Sequence, residues 1–188
     1  MYQRQAQNLP ADAILFFGDS HIQGLAVTAI APNAVNFGIG DQQLQRLANH
    51  ISDYPGLELA GKIVIGIGIN DLLHAPQMQP DTAIKQLVDA LQCCRNKVVL
   101  LSVLPVNEIK RQRPGLNKRI AAFNQRIKGA ALQAAINYVD YYTAFIGENG
   151  ELAPHYDLGD GLHLNPAGYE VMIQQIKSGL QKGSISEK

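Results

Sequence analysis

The chain has 188 residues but no tryptophan, only two cysteines and no net charge. The cysteines, Cys93 and Cys94, are neighbours in sequence, and adjacent side chains diverge too strongly to form a disulfide, so no framework of cross-links is expected. Sixteen basic residues balance sixteen acidic ones, and without a basic surplus we expect no nucleic-acid partner. The chain has no tryptophan and only 6% aromatic residues, which leaves few side chains that could stack on sugar rings.

Long apolar runs are absent as well. No stretch approaches the roughly 18 consecutive apolar residues that cross a membrane, so we predict no membrane span. Residues 1–13 contain no apolar segment of the kind found in signal peptides, which favours a cytoplasmic location. No cluster of His and Cys residues has the spacing of metal ligands, and neither a metal nor a cofactor is predicted. The sequence does not indicate the oligomeric state.

What the chain does contain is a series of short apolar runs, several of them ended by glycine or proline. Such runs are typical of strands that are buried on both faces of a sheet. They predict five strands: Ala13–Phe17, Ala34–Phe37, Lys62–Ile67, Lys97–Val103 and Tyr138–Asp140.

Helical patterns separate the predicted strands. Apolar residues recur at spacings of three and four after Pro80, after Pro114 and after Asn165, where Pro166 would occupy the first helical position. Alternation of buried strands with helices indicates a parallel sheet covered by helices on both faces. We therefore predict an α/β fold, a flavodoxin-like three-layer α/β/α sandwich.

The length of the chain fits one domain of ordinary size. No internal repeat, low-complexity stretch or linker divides it. We predict a single domain over residues 1–188, with residues 1–12 and 183–188 at its periphery.

Chemistry in parallel sheets of this type gathers at the carboxyl ends of the strands. Four polar segments lie directly after predicted strands or before the last helix: Gly18–His21, Gly38–Asp41, Gly68–Asp71 and Asp160–His163. Each one alone is typical of an ordinary turn or helix cap. Together they bring a serine, a glycine N–H, an asparagine amide and an Asp/His pair to one edge. Acyl transfer by a serine nucleophile requires this set of groups.

In this order the four segments resemble the sequence blocks of the SGNH hydrolases, also called the GDSL-type esterases and lipases. Phe17–Ser20 is similar to the first block, and the resemblance extends from residue 13 to about residue 180. It implies that Ser20 is the nucleophile, His163 the base and Asp160 the acid that orients the base. Asp160 and His163 lie three positions apart in one predicted loop, close enough for the carboxylate to reach the imidazole.

The resemblance also implies an oxyanion hole, a set of fixed N–H donors for the negative charge that develops on the carbonyl oxygen. Its donors would be the backbone N–H groups of Ser20 and Gly40 and the side-chain amide of Asn70. Gly38 is the alternative to Gly40, because both glycines stand in the second block.

Four further residues near these segments are predicted as possible contacts for the substrate: Asp19, Gly38, Asp71 and His155. Other roles stay open for two of them, since Asp19 could cap a helix and Asp71 could anchor its own turn. His21 directly follows the nucleophile, and its side chain diverges from that of Ser20. We expect His21 at the mouth of the pocket or as a cap rather than as the base.

The predicted function is hydrolysis of a small-molecule ester through an acyl-serine intermediate. Short acyl groups, acetyl above all, are favoured because so compact a chain leaves little room for a lid. A lysophospholipase or acyl-thioesterase of the same family is the alternative. A non-catalytic flavodoxin-like binding domain is a third interpretation, but such a domain has no use for the Asp160–His163 pair.

Overall fold

The described part of the chain, residues 8–54, 56–74 and 80–182 of a computed structural model, is built around one sheet. Its strands are β1 Ile14–Gly18, β2 Ala34–Gly38, β3 Lys62–Gly66, β4 Val98–Leu101 and β5 Asn137–Val139. All neighbours pair in parallel, in the order β2-β1-β3-β4-β5. The predicted five-stranded parallel sheet is confirmed, with strand ends that differ by one or two residues from the predicted ones.

Helices connect the strands within the described residues. They are α1 Ser20–Gln23, α2 Leu44–His50, α3 Ile69–His74, α4 Pro80–Ala90, α5 Glu108–Arg111, α6 Leu116–Gln133 and α7 Pro166–Lys182. The helices predicted from apolar periodicity are α4, α6 and α7, and the Asn165 side chain accepts the Gly168 N–H at 3.0 Å as the cap of α7. The periodicity does not predict α2, α3 or α5, because helices of four to seven residues are too short to repeat it.

Apolar side chains alternate between the two faces of the sheet, as the pleat of a strand requires. Phe17 of β1 and Ile65 of β3 belong to the core beneath α2, α4 and α6. Their neighbours Phe16 and Val64 belong to a second core, together with Met172 of α7. The three layers of the predicted α/β/α sandwich are therefore present, with helices on both faces of the sheet.

Three strands end at the same level of the sheet, each in a glycine. Gly18 of β1 is in register with Gly38 of β2 and with Gly66 of β3. Gly18 has a φ of +156°, and a Cβ atom there would lie 2.0 Å from the Gly66 carbonyl oxygen. A side chain is thus excluded at this position, and the chain can turn directly from β1 into α1.

Three further expectations concern the cysteines, membrane-spanning helices and the two ends of the chain. Cys93 is exposed, Cys94 is buried, and both are free thiols. Among the helices of the described residues, none combines the length and the apolar character needed to cross a membrane. The predicted peripheral positions of residues 1–7 and 183–188 lie outside the described residues.

Candidate active site

Ser20 is presented by the sharp turn between β1 and α1. It is the first residue of α1, and Asp19 caps this helix by accepting the His21 N–H at 3.0 Å. The Asp19 N–H in turn donates to the Gly66 carbonyl at 3.2 Å, which ties the turn to the end of β3. Ser20 is only partly buried, so a ligand can reach it while its backbone is fixed.

Ser20, His163 and Asp160 form a continuous chain of hydrogen bonds. Ser20 Oγ lies 2.9 Å from His163 Nε2, although the two residues are 143 positions apart. His163 Nδ1 lies 2.6 Å from Asp160 Oδ2. Because a carboxylate only accepts, Nδ1 carries the proton, and Nε2 is left to accept from the serine hydroxyl. The fold therefore places a base against the hydroxyl and an anion behind the base.

The Asp160 carboxylate is held by its own loop. Its Oδ1 atom accepts the backbone N–H groups of Leu162 at 2.9 Å and His163 at 2.8 Å. Burial by itself would raise the pKa of Asp160, but these N–H groups and the His163 ring outweigh it and lower the pKa to about 2. The carboxylate is consequently an anion throughout the neutral pH range.

We expect the Asp160→Asn variant to unfold at a lower temperature than the wild type above pH 4. The pKa of Asp160 in the folded protein, about 2, lies below the ordinary value of 3.8. The stabilisation from the ionised carboxylate is therefore complete above the ordinary value and is lost as the pH falls through the folded value. Melting temperatures of both proteins between pH 2 and pH 7 should converge at the acidic end. A gap that stays constant with pH would contradict the role given to this carboxylate, and Asp53→Asn on the exposed surface is the matched control.

The residues predicted as oxyanion donors lie at the same edge of the sheet. Asn70 of α3 is buried, and its Nδ2 group donates to the Gln42 carbonyl at 3.0 Å. Because this amide carries two protons, the second one is left for a ligand. Within the described ranges, the N–H groups of Ser20 and Gly40 donate to no other protein atom. These three residues can thus offer donors without breaking a bond that the fold uses.

The alternative oxyanion glycine, Gly38, is already engaged. Its N–H donates to the Asn36 side chain at 2.8 Å. A Cβ atom at Gly38 would lie 2.3 Å from the Gln23 backbone nitrogen, whereas one at Gly40 would meet only the end of the Gln23 side chain at 2.9 Å. Glycine at position 38 is explained by close packing against α1, and the free N–H favours Gly40 as the donor.

The other predicted substrate contacts lie in different surroundings. Both carboxylate oxygens of Asp71 accept the Leu44 N–H, at 2.9 and 3.1 Å, at the start of α2. Burial raises the pKa of Asp71 and outweighs this bond. Asp19 is the buried cap described above, and His155 is exposed with its ring centroid 4.0 Å from that of Tyr156. A contact of these residues with substrate stays a prediction.

A second aspartate, which the sequence analysis missed, shapes the loop in front of Asp160. Asp157 is buried, and its Oδ1 atom accepts the N–H groups of Gly159 at 2.8 Å and Gly161 at 2.9 Å. Its Oδ2 atom lies 2.5 Å from Lys110 Nζ. Burial would raise the pKa of Asp157, but Lys110 and the two N–H groups outweigh it and lower the pKa. The alternation of aspartate and glycine in residues 157–161 is the sequence signal of this turn.

The position of His21 differs from the predicted one. The side chain is not at the mouth of a pocket but is buried, with 6% exposure. Its Nε2 atom lies 3.0 Å from the Leu162 carbonyl oxygen, beneath the loop that carries His163. The reason is the geometry of α1, where consecutive side chains point in different directions, so that Ser20 faces outward while His21 faces inward.

Most of the chain is similar in sequence to one known protein family. Residues 16–171 match the sequence model of the GDSL-like lipase/acylhydrolase family. No curated protein matches the chain in sequence.

Solved structures share the fold over nearly the whole chain. A Streptococcus pneumonia protein, described provisionally as a platelet activating factor, is 26% identical with a TM-score of 0.80, covering 95% of this chain and 89% of its own. A GDSL-like lipase from Bacteroides thetaiotaomicron is 24% identical with a TM-score of 0.80, covering 96% of both chains. Axe2, an acetylxylan esterase from Geobacillus stearothermophilus, is 20% identical with a TM-score of 0.71, covering 90% of this chain and 94% of its own.

Proposed function

The chain belongs to the GDSL-like lipase/acylhydrolase family, and on this basis we propose that it is a serine ester hydrolase for short-chain acyl esters. Acetyl esters are the favoured substrates, and residues 1–188 act as one domain. One observation carries the proposal above all. Ser20 Oγ, His163 and Asp160 form a hydrogen-bonded series, with steps of 2.9 and 2.6 Å, in a partly exposed position at the carboxyl edge of the sheet.

The first half of the proposed reaction forms the acyl-enzyme. Ser20 Oγ attacks the ester carbonyl carbon while its proton passes to His163 Nε2. The Ser20 and Gly40 N–H groups and the free proton of the Asn70 amide stabilise the oxyanion. The tetrahedral intermediate then collapses, the alcohol leaves with the proton from His163, and the acyl group remains on Ser20.

The second half regenerates the serine. Water replaces the alcohol, and His163 Nε2 takes a proton from it as it attacks the acyl carbonyl. Collapse of the second tetrahedral intermediate returns that proton to Ser20 Oγ and releases the carboxylic acid. Asp160 remains ionised throughout and holds the imidazolium that forms transiently.

The preference for a short acyl group draws support from two sources. The compact chain leaves little room for a lid, and a structural neighbour is an acetylxylan esterase. One observation favours the alternative, a lysophospholipase or acyl-thioesterase. Ile109 and Leu158, which adjoin the Lys110–Asp157 ion pair, are 82% and 62% exposed. An apolar surface beside the His163 loop would suit a longer acyl chain.

The proposal is tested by hydrolysis of p-nitrophenyl esters from acetate to palmitate. We expect kcat/KM to be highest for acetate and to fall as the chain lengthens. A maximum at long chains that disappears in the Ile109→Ser/Leu158→Ser variant would instead support the alternative. Reaction with a fluorophosphonate tests whether Ser20 is an activated nucleophile without depending on the choice of ester. Peptide mapping shows whether the label is on Ser20. A chain with neither turnover nor labelling would be a non-catalytic domain.

A further inference from the structure

His21 connects the helix that carries Ser20 to the loop that carries His163. Its Nε2 atom lies 3.0 Å from the Leu162 carbonyl oxygen, in buried surroundings and across 141 positions of sequence. A carbonyl oxygen only accepts hydrogen bonds, so Nε2 carries a proton and donates it. The bond joins the two segments of the proposed site without using either reacting atom.

The peptide group that accepts this bond is the one that joins Leu162 to His163. The Leu162 carbonyl and the His163 N–H belong to one planar unit. The N–H end donates to Asp160 Oδ1 at 2.8 Å, and the carbonyl end accepts from His21. This peptide unit is therefore held at both ends, and its orientation fixes the position of the His163 Cα atom, from which the imidazole extends.

Asp19 holds the other side of the His21 ring. His21 Nδ1 lies 3.5 Å from Asp19 Oδ1, and both side chains are more than nine-tenths buried. The same carboxylate oxygen accepts the His21 N–H at 3.0 Å as the cap of α1. Nδ1 can donate to this carboxylate only when it is protonated as well as Nε2, so the bond from Nε2 to the Leu162 carbonyl is the one that fixes the orientation of the ring. The ring also packs beside that of His163, with 5.7 Å between centroids.

We propose that His21 is a positioning residue, which keeps His163 Nε2 in line with Ser20 Oγ by donating Nε2–H to the Leu162 carbonyl. This inference rests on the proposed function, in which those two atoms exchange a proton. It assigns to the residue after the nucleophile a role in the geometry of the base, although the hydrogen bonds of His21 involve neither Ser20 Oγ nor His163 Nε2. A displacement of the base by about 1 Å can cost about 10²-fold in rate, so the effect is measurable.

Two conservative variants separate this bond from the rest of the role of the side chain. In His21→Gln the amide nitrogen can take the place of Nε2 and donate to Leu162. In His21→Asn the shorter amide can reach only the place of Nδ1, beside Asp19. Both variants keep a polar group and lose one side of the ring, so a purely structural role would make their losses in stability and activity similar.

We expect kcat for p-nitrophenyl acetate to fall about 10- to 100-fold in His21→Asn, with KM unchanged. His21→Gln should keep kcat within about threefold of the wild type, because its amide can replace the Nε2–H group as the donor to the Leu162 carbonyl. The rate of fluorophosphonate labelling at Ser20 should follow the same order. Equal loss in the two variants, or wild-type kcat in both, would overturn the inference.

Amide hydrogen exchange tests the same bond without any catalytic readout. The Leu162 and His163 amides should exchange faster in His21→Asn than in the wild type and at the wild-type rate in His21→Gln. Equal exchange rates in the three proteins would overturn the inference even where esterase activity is confirmed. If wild type and Ser20→Ala had the same activity, the proposed function would fail, and the exchange result would still decide whether His21 holds the loop.

The unmodified protein offers a test that does not depend on a variant folding. In histidine-labelled wild type, the proton on His21 Nε2 should exchange slowly with solvent, because it is buried and hydrogen-bonded. Rapid exchange of this proton would overturn the inference.

Discussion

Replacing Ser20 with alanine should lower kcat for p-nitrophenyl acetate by about 10⁶-fold, because the hydroxyl is the proposed nucleophile and nothing replaces it. His163→Ala should cause a loss of similar size. The Ser20→Ala/His163→Ala double variant should be no slower than either single variant. Residues that act as a unit are not additive, since the loss of one already removes the function of the other.

Steady-state kinetics at equal protein concentration provides the measurement. Ser52→Ala is the matched control, since this serine is exposed in the short turn after α2 and should keep wild-type kcat. The role proposed for the 2.9 Å hydrogen bond between Ser20 Oγ and His163 Nε2 is proton transfer during the reaction, so the two residues should act together. Losses that add in the double variant would mean that the two residues act separately, and wild-type activity in Ser20→Ala would mean that the nucleophile is another residue.

The sheet could be predicted from the sequence because its strands are buried on both faces and appear as continuous apolar runs. The end of β4 could not. The apolar run continues to Val103, but β4 ends at Leu101. Both backbone groups of Val103 bond to the Asn124 side chain on α6, at 2.8 and 2.9 Å. That partner lies 21 positions away in sequence, so local pattern carries no signal of it.

The residues of the proposed site likewise include some that the sequence indicates and others that it does not. Each of its reacting groups directly follows a strand or precedes a helix, and this position makes Ser20, Asn70 and His163 recognisable. The groups that hold the loops cannot be recognised so easily. The bond from Lys110 to Asp157 spans 47 positions, and the bond from His21 to Leu162 spans 141. Such residues act through the tertiary fold, and only the turn-forming aspartate and glycines of residues 157–161 leave a local trace.

Asn70→Ala should lower kcat by about 10²–10³-fold with little change in KM, because the amide is proposed to act on an oxyanion that exists only during reaction. The expected loss corresponds to about 2.7–4 kcal/mol of barrier. The variant also removes the structural bond from Nδ2 to the Gln42 carbonyl, 3.0 Å long. A fall in activity could therefore arise from an altered fold unless a control separates the two effects.

Asn124→Ala supplies that control. Asn124 and Asn70 are both 6% exposed, and the Asn124 amide also donates to a backbone carbonyl, that of Val103 at 2.9 Å. Removing either asparagine should destabilise the fold, since each leaves a buried carbonyl without its donor. Only Asn70→Ala should lower kcat per titrated active site. If the two variants lose stability and kcat in parallel, the Asn70 amide is a structural group, and the oxyanion relies on the Ser20 and Gly40 N–H groups alone.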